Sequence, residues 1–181
     1  MTDQPPSPLE ALVASPLFPV TGDNLRVKDP LPRADSDRPR SGEGGSPCMS
    51  CDDADDKYLW TNERWRVRAG MRSAVKQVFL ETRAHVDMAD MSPGDAADLG
   101  PMLQRIERAM HATGDVGRVH IHRWGDGGSH FHMWLYGRPF GDRQMLGFGL
   151  VLWAMLLPQM SDDEWSAAMA AIAAHLASED I

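Results

Sequence analysis

The sequence predicts an α+β fold: an antiparallel sheet with a crossing helix, followed by C-terminal helices. Three patterns support this fold class. Short β-type runs come first, one long helical pattern separates them from two further strand patterns, and two helical patterns end the chain. Strands, helix, strands and helices in this order are typical of α+β domains.

The length and composition predict one domain with attached segments. The 181 residues are 43% hydrophobic and 24% charged, which allows one sizeable core but not two. Residues 1–47 are predicted to be extended or mobile, because proline recurs there and only Leu9–Ala14 suits a helical turn or two. We expect the compact domain at residues 48–140 and C-terminal helices at 141–181, packed on the same domain.

Three short runs predict an antiparallel meander at the start of the domain. They are Tyr58–Trp60, Trp65–Arg68 and Gln77–Glu81, and polar or glycine-containing breaks separate them.

The long helix has clear start and stop signals. Ser92 is predicted as its N-cap, Pro93 occupies the first helical position, and Gly114 ends the helix. Apolar side chains recur at helical spacing between these limits, at Leu99, Leu103, Ile106 and Met110.

Two strand patterns follow this helix, at Arg118–Trp124 and Ser129–Tyr136. Gly125–Gly128 lies between them and predicts a tight turn, because glycine adopts positive φ without steric cost. The same glycine-rich stretch could also offer backbone N–H groups to a phosphate.

The chain ends in two predicted helices, Gln144–Leu157 and Asp162–Ala177, and Ser161 caps the second. The first is apolar nearly all round, so we expect it to be enclosed by the domain or buried between the subunits of a homodimer. Its apolar run is well short of the roughly 20 residues that span a bilayer, so no membrane partner is expected.

The charge balance argues against one class of partner. The formal net charge of -8 does not suit a nucleic-acid-binding surface, which needs clustered Lys and Arg. A local site could still hold a small anion. The N-terminus lacks the basic start and apolar stretch of a secretory signal, so we expect a cytoplasmic protein with reduced thiols.

Four of the seven histidines form two His-x-His pairs on the last two strand patterns: His120 with His122, and His130 with His132. Positions i and i+2 of a strand share a face, so the four imidazoles could meet at a metal or a proton relay if the strands are neighbours.

The alternative is that these histidines form the solvent-facing side of two strands. Ile121, Phe131 and Met133 would then face the core. This alternative is at least as strong as a functional role for the 120/122 pair. A functional role is favoured for the 130/132 pair, which a glycine-rich turn and Ser129 precede.

The only cysteines, Cys48 and Cys51, form a Cys-x-x-Cys pair that suits half of a tetrahedral zinc site. Histidines must complete such a site, and His85 and His130 are the best placed. A redox pair is disfavoured because no helix directly follows a strand there, and two incidental cysteines are the remaining alternative. Zinc is favoured over both.

These motifs resemble the histidine triad superfamily, nearest its galactose-1-phosphate uridylyltransferase and diadenosine-polyphosphate phosphorylase branch. The resemblance covers roughly residues 48–139. It rests on the order of five motifs: Cys48-Met-Ser-Cys51, Thr61-Asn62, Thr82-Arg-Ala-His85, Met91-Ser-Pro-Gly-Asp95 and Gly127-Gly-Ser-His-Phe-His-Met-Trp134.

The resemblance implies roles for five residues. In that family the first histidine of the motif often joins the cysteine pair and an earlier histidine on a structural zinc ion, here Cys48, Cys51, His85 and His130. The second histidine, here His132, would be the nucleophile that forms a nucleotidyl-histidine. That chemistry needs a neutral imidazole with one nitrogen free and the other held by a hydrogen bond.

The third motif position departs from the family. It carries histidine in the hydrolases and glutamine in the transferases, but here it is Trp134. An indole donates one hydrogen bond and cannot deliver a proton near neutral pH. With Gly127, Gly128 and Ser129, Trp134 completes the set of residues expected to contact substrate.

The sequence therefore leaves three functions open. The first is transfer or hydrolysis of a nucleoside monophosphate through His132, with a nucleotide or nucleotide sugar as substrate. The second is a catalytically inactive zinc-containing binding or scaffolding protein in which Trp134 fills the phosphate space. The third is a cupin-like iron or manganese site, disfavoured because the cysteines would then have no role.

Overall fold

The computed structural model of the chain describes residues 8–15, 18–19, 29 and 32–178. The helices are α1 (Pro8–Ala14), α2 (Met49–Asp52), α3 (Pro93–Ala112), α4 (Gly149–Leu156) and α5 (Asp162–Ser178). The strands are β1 (Trp60–Thr61), β2 (Trp65–Ala69), β3 (Lys76–Thr82), β4 (Val116–His122) and β5 (His132–Pro139). Short 3₁₀ turns lie at Asp55–Lys57 and Met88–Asp90.

The five strands form one antiparallel sheet in the order β1-β2-β3-β5-β4. The first three strands make the expected meander, and α3 crosses from β3 to β4 at the sheet edge. Strand β5 then returns between β3 and β4 and pairs with both. The expected α+β fold with a crossing helix is confirmed.

The predicted tight turn at Gly125–Gly128 is wrong. Residues 123–131 form a longer connection, and no glycine in this stretch has a positive φ. The connection makes long-range contacts instead: Gly128 bridges to Ser41, and the Phe131 N–H donates to the Val86 carbonyl. These contacts decide its path.

Helix α3 begins and ends as its sequence signals predict. The Ser92 hydroxyl accepts a hydrogen bond from the Asp95 N–H at 3.1 Å, and Gly114 follows the helix with φ of +88°. Ile106 and Met110 are fully buried against the sheet, whereas Leu99 and Leu103 are partly buried beside them.

The core lies between one face of the sheet and helices α3 and α5. Its sheet side is made by alternate strand residues such as Val67, Leu80 and Leu135, all 0% exposed. Because side chains alternate along a strand, the intervening residues project from the opposite face. Helix α4 covers one end of that opposite face, where Leu150 and Ala154 pack against Tyr136.

The two C-terminal helices differ in how well the sequence predicts them. Helix α5 agrees with its prediction, and the Glu164 N–H donates to the Ser161 hydroxyl in a capping box. Helix α4 begins at Gly149 rather than Gln144, after Gly147 with φ of +52°. The prediction that the domain encloses α4 completely is wrong for this single chain, because the Met155 side chain is 73% exposed.

Helix α1 agrees with the predicted helical turns near the N-terminus. The expectation of an extended or mobile segment otherwise falls partly on residues 1–7, 16–17, 20–28 and 30–31, which lie outside the described residues. The division of the chain at residues 47 and 140 stays a prediction. In the described part of the chain, no helix is both long enough and apolar enough to cross a membrane.

Candidate functional site

Four residues predicted as metal ligands come together from three parts of the chain. Cys48 and Cys51 lie at helix α2, His85 follows β3, and His130 precedes β5. One ligand atom from each lies within 4.8 Å of all the others. The Cys51 Sγ lies 3.2 Å from His85 Nδ1 and 3.5 Å from His130 Nδ1, and the Cys48 Sγ is also 3.5 Å from His130 Nδ1.

These distances fit a tetrahedral zinc ion. With Zn–S bonds of about 2.3 Å and Zn–N bonds of about 2.0–2.1 Å, neighbouring ligand atoms lie roughly 3.3–3.8 Å apart. Burial, followed by the neighbouring Cys48 thiol, raises the pKa of Cys51 to about 11. A cation is what would stabilise two thiolates this close together.

Hydrogen bonds orient both histidine rings for ligation. The Nε2 of His130 donates to the Thr82 carbonyl at 2.7 Å, and the Nε2 of His85 lies 3.3 Å from the Ser129 hydroxyl. A proton on each Nε2 leaves each Nδ1 lone pair directed at the cysteines. Such outer partners commonly fix the tautomer of a ligating histidine. Ser129 therefore contacts a candidate metal ligand.

The segment from Arg40 to Glu43, just before the cysteines in sequence, packs against this cluster. The Ser41 N–H donates to the Gly127 carbonyl and its carbonyl accepts from the Ser129 N–H, both at 3.0 Å. Gly42 has φ of +84°, and a Cβ there would lie 2.6 Å from Cε1 of His85. Close approach to the His85 ring thus requires glycine at 42.

Ion pairs fasten the same segment to the loops around it. The Arg40 guanidinium pairs with Glu43 at 2.7 Å and with Asp87 at 2.5 Å, and Arg123 also pairs with Asp87. No sequence pattern indicates these contacts, since Arg40 and Glu43 lie in a stretch whose composition is typical of mobile chain.

His132 has the geometry that a nucleophilic imidazole needs. It begins β5, and its Nδ1 donates to the His130 carbonyl at 2.9 Å, so in the neutral imidazole the lone pair lies on Nε2. The ring lines a cleft of about 400 Å³ on the open face of the sheet. Gly127 and Gly128, which are predicted to contact substrate, line the same cleft.

Several charged residues line or border this cleft, and no sequence motif pointed to them. Arg68 is in the cleft wall, and its guanidinium pairs with Asp53 at 2.5 Å and with buried Glu81 at 3.2 Å. Arg66 and Arg68 lie on either side of the Tyr58 ring, 4.9 and 4.7 Å from its centre. Arg66 and Arg68 alternate with Val67 along β2. This sequence pattern indicates that both arginines face away from the core.

Trp134 does not line the cleft beside His132. Its ring packs against Phe79 with centroids 4.1 Å apart and forms an aromatic cluster with Trp124 and Tyr136. Among the described residues, nothing accepts a hydrogen bond from its buried Nε1. Phe79 lines the cleft and Trp134 lines a second cavity, so this pair of rings separates the two.

The four histidines of the two pairs do not meet. His130 joins the cysteines, His132 faces the cleft, and His120 and His122 lie beyond Trp134 on the same sheet face. Burial lowers the pKa of both His120 and His122. In the part of the chain that the structure describes, the cysteine-histidine cluster is the only group arranged for a metal ion.

The alternative prediction is that the histidines form the solvent-facing side of these strands, with Ile121 and Phe131 facing the core. The structure differs from it in one respect. Phe131 is fully buried, as expected, but Ile121 is 37% exposed on edge strand β4. His122 is half-buried instead, stacked on Trp124 with ring centroids 4.9 Å apart.

No family model and no curated protein matches this sequence. Among solved structures, a Zn-bound histidine triad family protein from Mycobacterium smegmatis is 22% identical, with a TM-score of 0.51, covering 68% of this chain and 85% of that one. A histidine triad protein from Bradyrhizobium japonicum is 16% identical, with a TM-score of 0.55, covering 66% and 89%.

The fold is also similar to part of a larger enzyme. A uridylyltransferase mutant is 17% identical, with a TM-score of 0.51, and the match covers 72% of this chain but 47% of that one. At these identities the likeness is one of fold. The chain has the histidine triad fold, and the expected likeness to both histidine triad proteins and uridylyltransferases is confirmed.

Proposed function

We propose that this protein is a nucleotidyl transferase or nucleotide hydrolase that acts through a covalent nucleotidyl-histidine at His132. The observation that carries the proposal is the hydrogen bond from His132 Nδ1 to the His130 carbonyl. In the neutral imidazole this bond fixes the tautomer and leaves the Nε2 lone pair available beside a cleft of about 400 Å³.

The reaction has two displacements at one phosphorus atom. The Nε2 lone pair forms a bond to the α-phosphorus, while the bond to the leaving oxygen breaks and that oxygen takes the electron pair. A second phosphate, or water that loses a proton to the solvent, then attacks the phosphorus, and the N–P electron pair returns to Nε2. The Nδ1 proton stays on the ring throughout, where the His130 carbonyl stabilises the positive charge of the intermediate.

The backbone around the cleft supports phosphate binding. Gly127 and Gly128 carry no side chains that would exclude a phosphate, and Ser41 holds the Gly127–Ser129 stretch through main-chain hydrogen bonds. Arg68 contributes a positive charge to the cleft wall, although Asp53 and Glu81 partly neutralise it.

A structural zinc ion is part of the proposal. Cys48, Cys51, His85 and His130 would hold it, and their geometry suits tetrahedral coordination. The ion would fix the His130 ring, and the backbone carbonyl of the same residue orients His132. Zinc would thereby support the nucleophile without touching the substrate.

Trp134 affects the choice of substrate. Because indole cannot deliver a proton, the leaving group must depart as a stable anion such as a phosphate or a sugar phosphate. UDP-sugars and diadenosine polyphosphates have such leaving groups. Adenosine phosphoramidates release an amine, which needs a proton, so they are expected to react more slowly.

Intact-protein mass spectrometry after incubation with these three donor classes tests the mechanism. We expect a mass increase of one nucleoside monophosphate on the wild type and none on His132→Ala. The matched control is His175→Ala, which removes a histidine from α5 on the other side of the sheet. An adduct that persists in zinc-loaded His132→Ala would exclude His132 as the nucleophile.

The second candidate is a catalytically inactive zinc-containing binding or scaffolding protein. The packing of Trp134 against Phe79 favours it, because this indole occupies the third motif position without a hydrogen-bond partner in the described structure. Stoichiometric zinc without an adduct from any donor would support this candidate. Iron or manganese in place of zinc would contradict both the catalytic candidate and the binding or scaffolding candidate.

Three further features belong to the proposal. Residues 48–140 would form the zinc domain with the C-terminal helices packed on it. Exposed apolar residues at α4, including Met155 and Leu156, support a homodimer, which light scattering would detect as twice the monomer mass. A pair of thiolate ligands fits the reducing conditions of the cytoplasm.

A further inference from the structure

A second cavity lies beside the cleft on the same face of the sheet. Its volume is about 360 Å³. Trp124, Trp134 and Tyr136 provide aromatic walls, and residues of α4 close the far side. Met71 lines both cavities, and the Phe79–Trp134 pair stands between them.

Three aromatic side chains line this cavity. Trp134 and Tyr136 are parallel within 4°, with centroids 6.0 Å apart, and Trp124 lies 5.4 Å from Trp134. Trp124 is 38% exposed, so solvent reaches its ring. A planar heteroaromatic ring is the ligand that such walls bind best, because stacking needs little beyond two π faces.

A buried amide adds polar recognition to the aromatic walls. Gln77 lines the cavity at 2% exposure, and its Nε2 lies 3.4 Å from the Tyr136 hydroxyl. A Cβ on Gly70 would lie 2.5 Å from Cγ of Gln77, so glycine at 70 makes room for this side chain. A carboxamide both donates and accepts, which suits the edge of a nucleobase.

The cavity is within reach of the nucleophile. The His132 and Trp134 rings have centroids 6.5 Å apart and lie on the same face of β5. A nucleoside monophosphate could therefore place its phosphate beside His132 and its base against Trp124 and Trp134.

We propose that the aromatic cavity walled by Trp124, Trp134 and Tyr136 binds the nucleobase of the substrate. The inference rests on the proposed function, because it assigns the base of a nucleotide whose α-phosphate reacts at His132. Trp134 then has a specificity role: it forms a wall of the base site at the position where other members of this fold family carry a hydrogen-bonding residue.

Binding of nucleosides, which lack phosphate, isolates this site from the chemistry. The indole N–H signals of ¹⁵N-labelled zinc-loaded protein would be followed during titration with adenosine, guanosine, cytidine and uridine. We expect at least one nucleoside to shift the Trp124 and Trp134 signals and leave that of Trp165 on α5 unchanged. Ribose 5-phosphate, which has no base, should not shift the two cavity signals.

Substitutions test the stacking surface directly. Trp124→Ala is expected to weaken binding of the responsive nucleoside by about 5- to 100-fold, the range that base–aromatic stacking contributes. Trp124→Phe should restore most of the affinity. Phe140→Ala is the control, since it removes an aromatic ring that is 84% exposed and outside the cavity. Unchanged affinity in folded Trp124→Ala would overturn the proposal.

The outcomes separate this inference from the proposed function. If His132 is nucleotidylated but no nucleoside shifts the cavity tryptophans, the base binds elsewhere and the inference fails. If nucleosides bind at Trp124 but no donor modifies His132, the catalytic proposal fails while the base site stands.

Discussion

At the scale of single residues, His130 has two roles that its neighbours in sequence do not share. Its ring joins the cysteine cluster, and its backbone carbonyl accepts the Nδ1 proton of His132. The candidate metal centre and the candidate nucleophile are therefore coupled through one residue. A disturbance of the ligand ring would also disturb the orientation of the reactive imidazole.

Trp134 yields a prediction at this scale. Trp134→Phe keeps a ring against Phe79 and removes the buried N–H that lacks a partner, so the free energy of unfolding should stay the same or rise. Trp134→Ala opens a cavity and should cost about 3–5 kcal/mol. Urea denaturation of both variants measures the difference. A loss of stability in Trp134→Phe as large as that in Trp134→Ala would contradict this prediction.

At the scale of elements, the segment from Arg40 to Glu43 positions both the glycine-rich connection and His85, a candidate metal ligand. Its main chain pairs with residues 127–129, and ion pairs fasten it. The Arg40 backbone N–H, followed by the Arg40 guanidinium, lowers the pKa of Glu43. The carboxylate therefore stabilises the segment at neutral pH, and this contribution is lost as the pH falls through the lowered pKa.

Two glycines of this region provide a matched pair of substitutions. Gly42 and Gly44 both have positive φ, so alanine is strained at either position, but only a Cβ at 42 would contact His85. Gly42→Ala should therefore cost about 1–3 kcal/mol more than Gly44→Ala because of overpacking. It should also release zinc more readily to a chelator. Equal stability and equal zinc retention would contradict the role given to this segment.

At the scale of the whole molecule, the sheet has two faces with different tasks. One face packs on α3 and α5 and contains most of the buried apolar residues. The other carries His132, the arginines of β2 and the aromatic cluster, and α4 covers only part of it. Because side chains alternate along each strand, the core residues and the residues of the candidate site lie on opposite faces of the sheet.

Zinc removal is expected to affect the whole molecule. The proposed ion joins three separated parts of the chain, so a chelator should lower the thermal unfolding temperature. The same treatment should abolish adduct formation at His132 if zinc supports its orientation. Cys51→Ser should reproduce both effects without chelator, and Ser50→Ala, next to it in α2, is the control. An unchanged unfolding temperature would argue against a structural zinc ion.

Parts of the fold can be predicted from the sequence alone, because interactions between residues close in sequence determine them. Ser92 and Ser161 cap α3 and α5 through hydrogen bonds to residues three positions away, and periodic apolar residues identify the helix faces. The meander and the α+β order follow from similar short-range patterns. The cysteine pair and the second His-x-His pair were recognisable by their spacing.

Tertiary structure decided which residues meet. The strand order β3-β5-β4 places His132 beside Glu81 and Trp134 beside Phe79, and no local pattern specifies such neighbours. It also separates the two histidine pairs and brings Ser41 and Gly42 onto residues distant in sequence. Local propensities act over a few residues, whereas a site is assembled by packing and hydrogen bonds between segments that a single sequence does not relate.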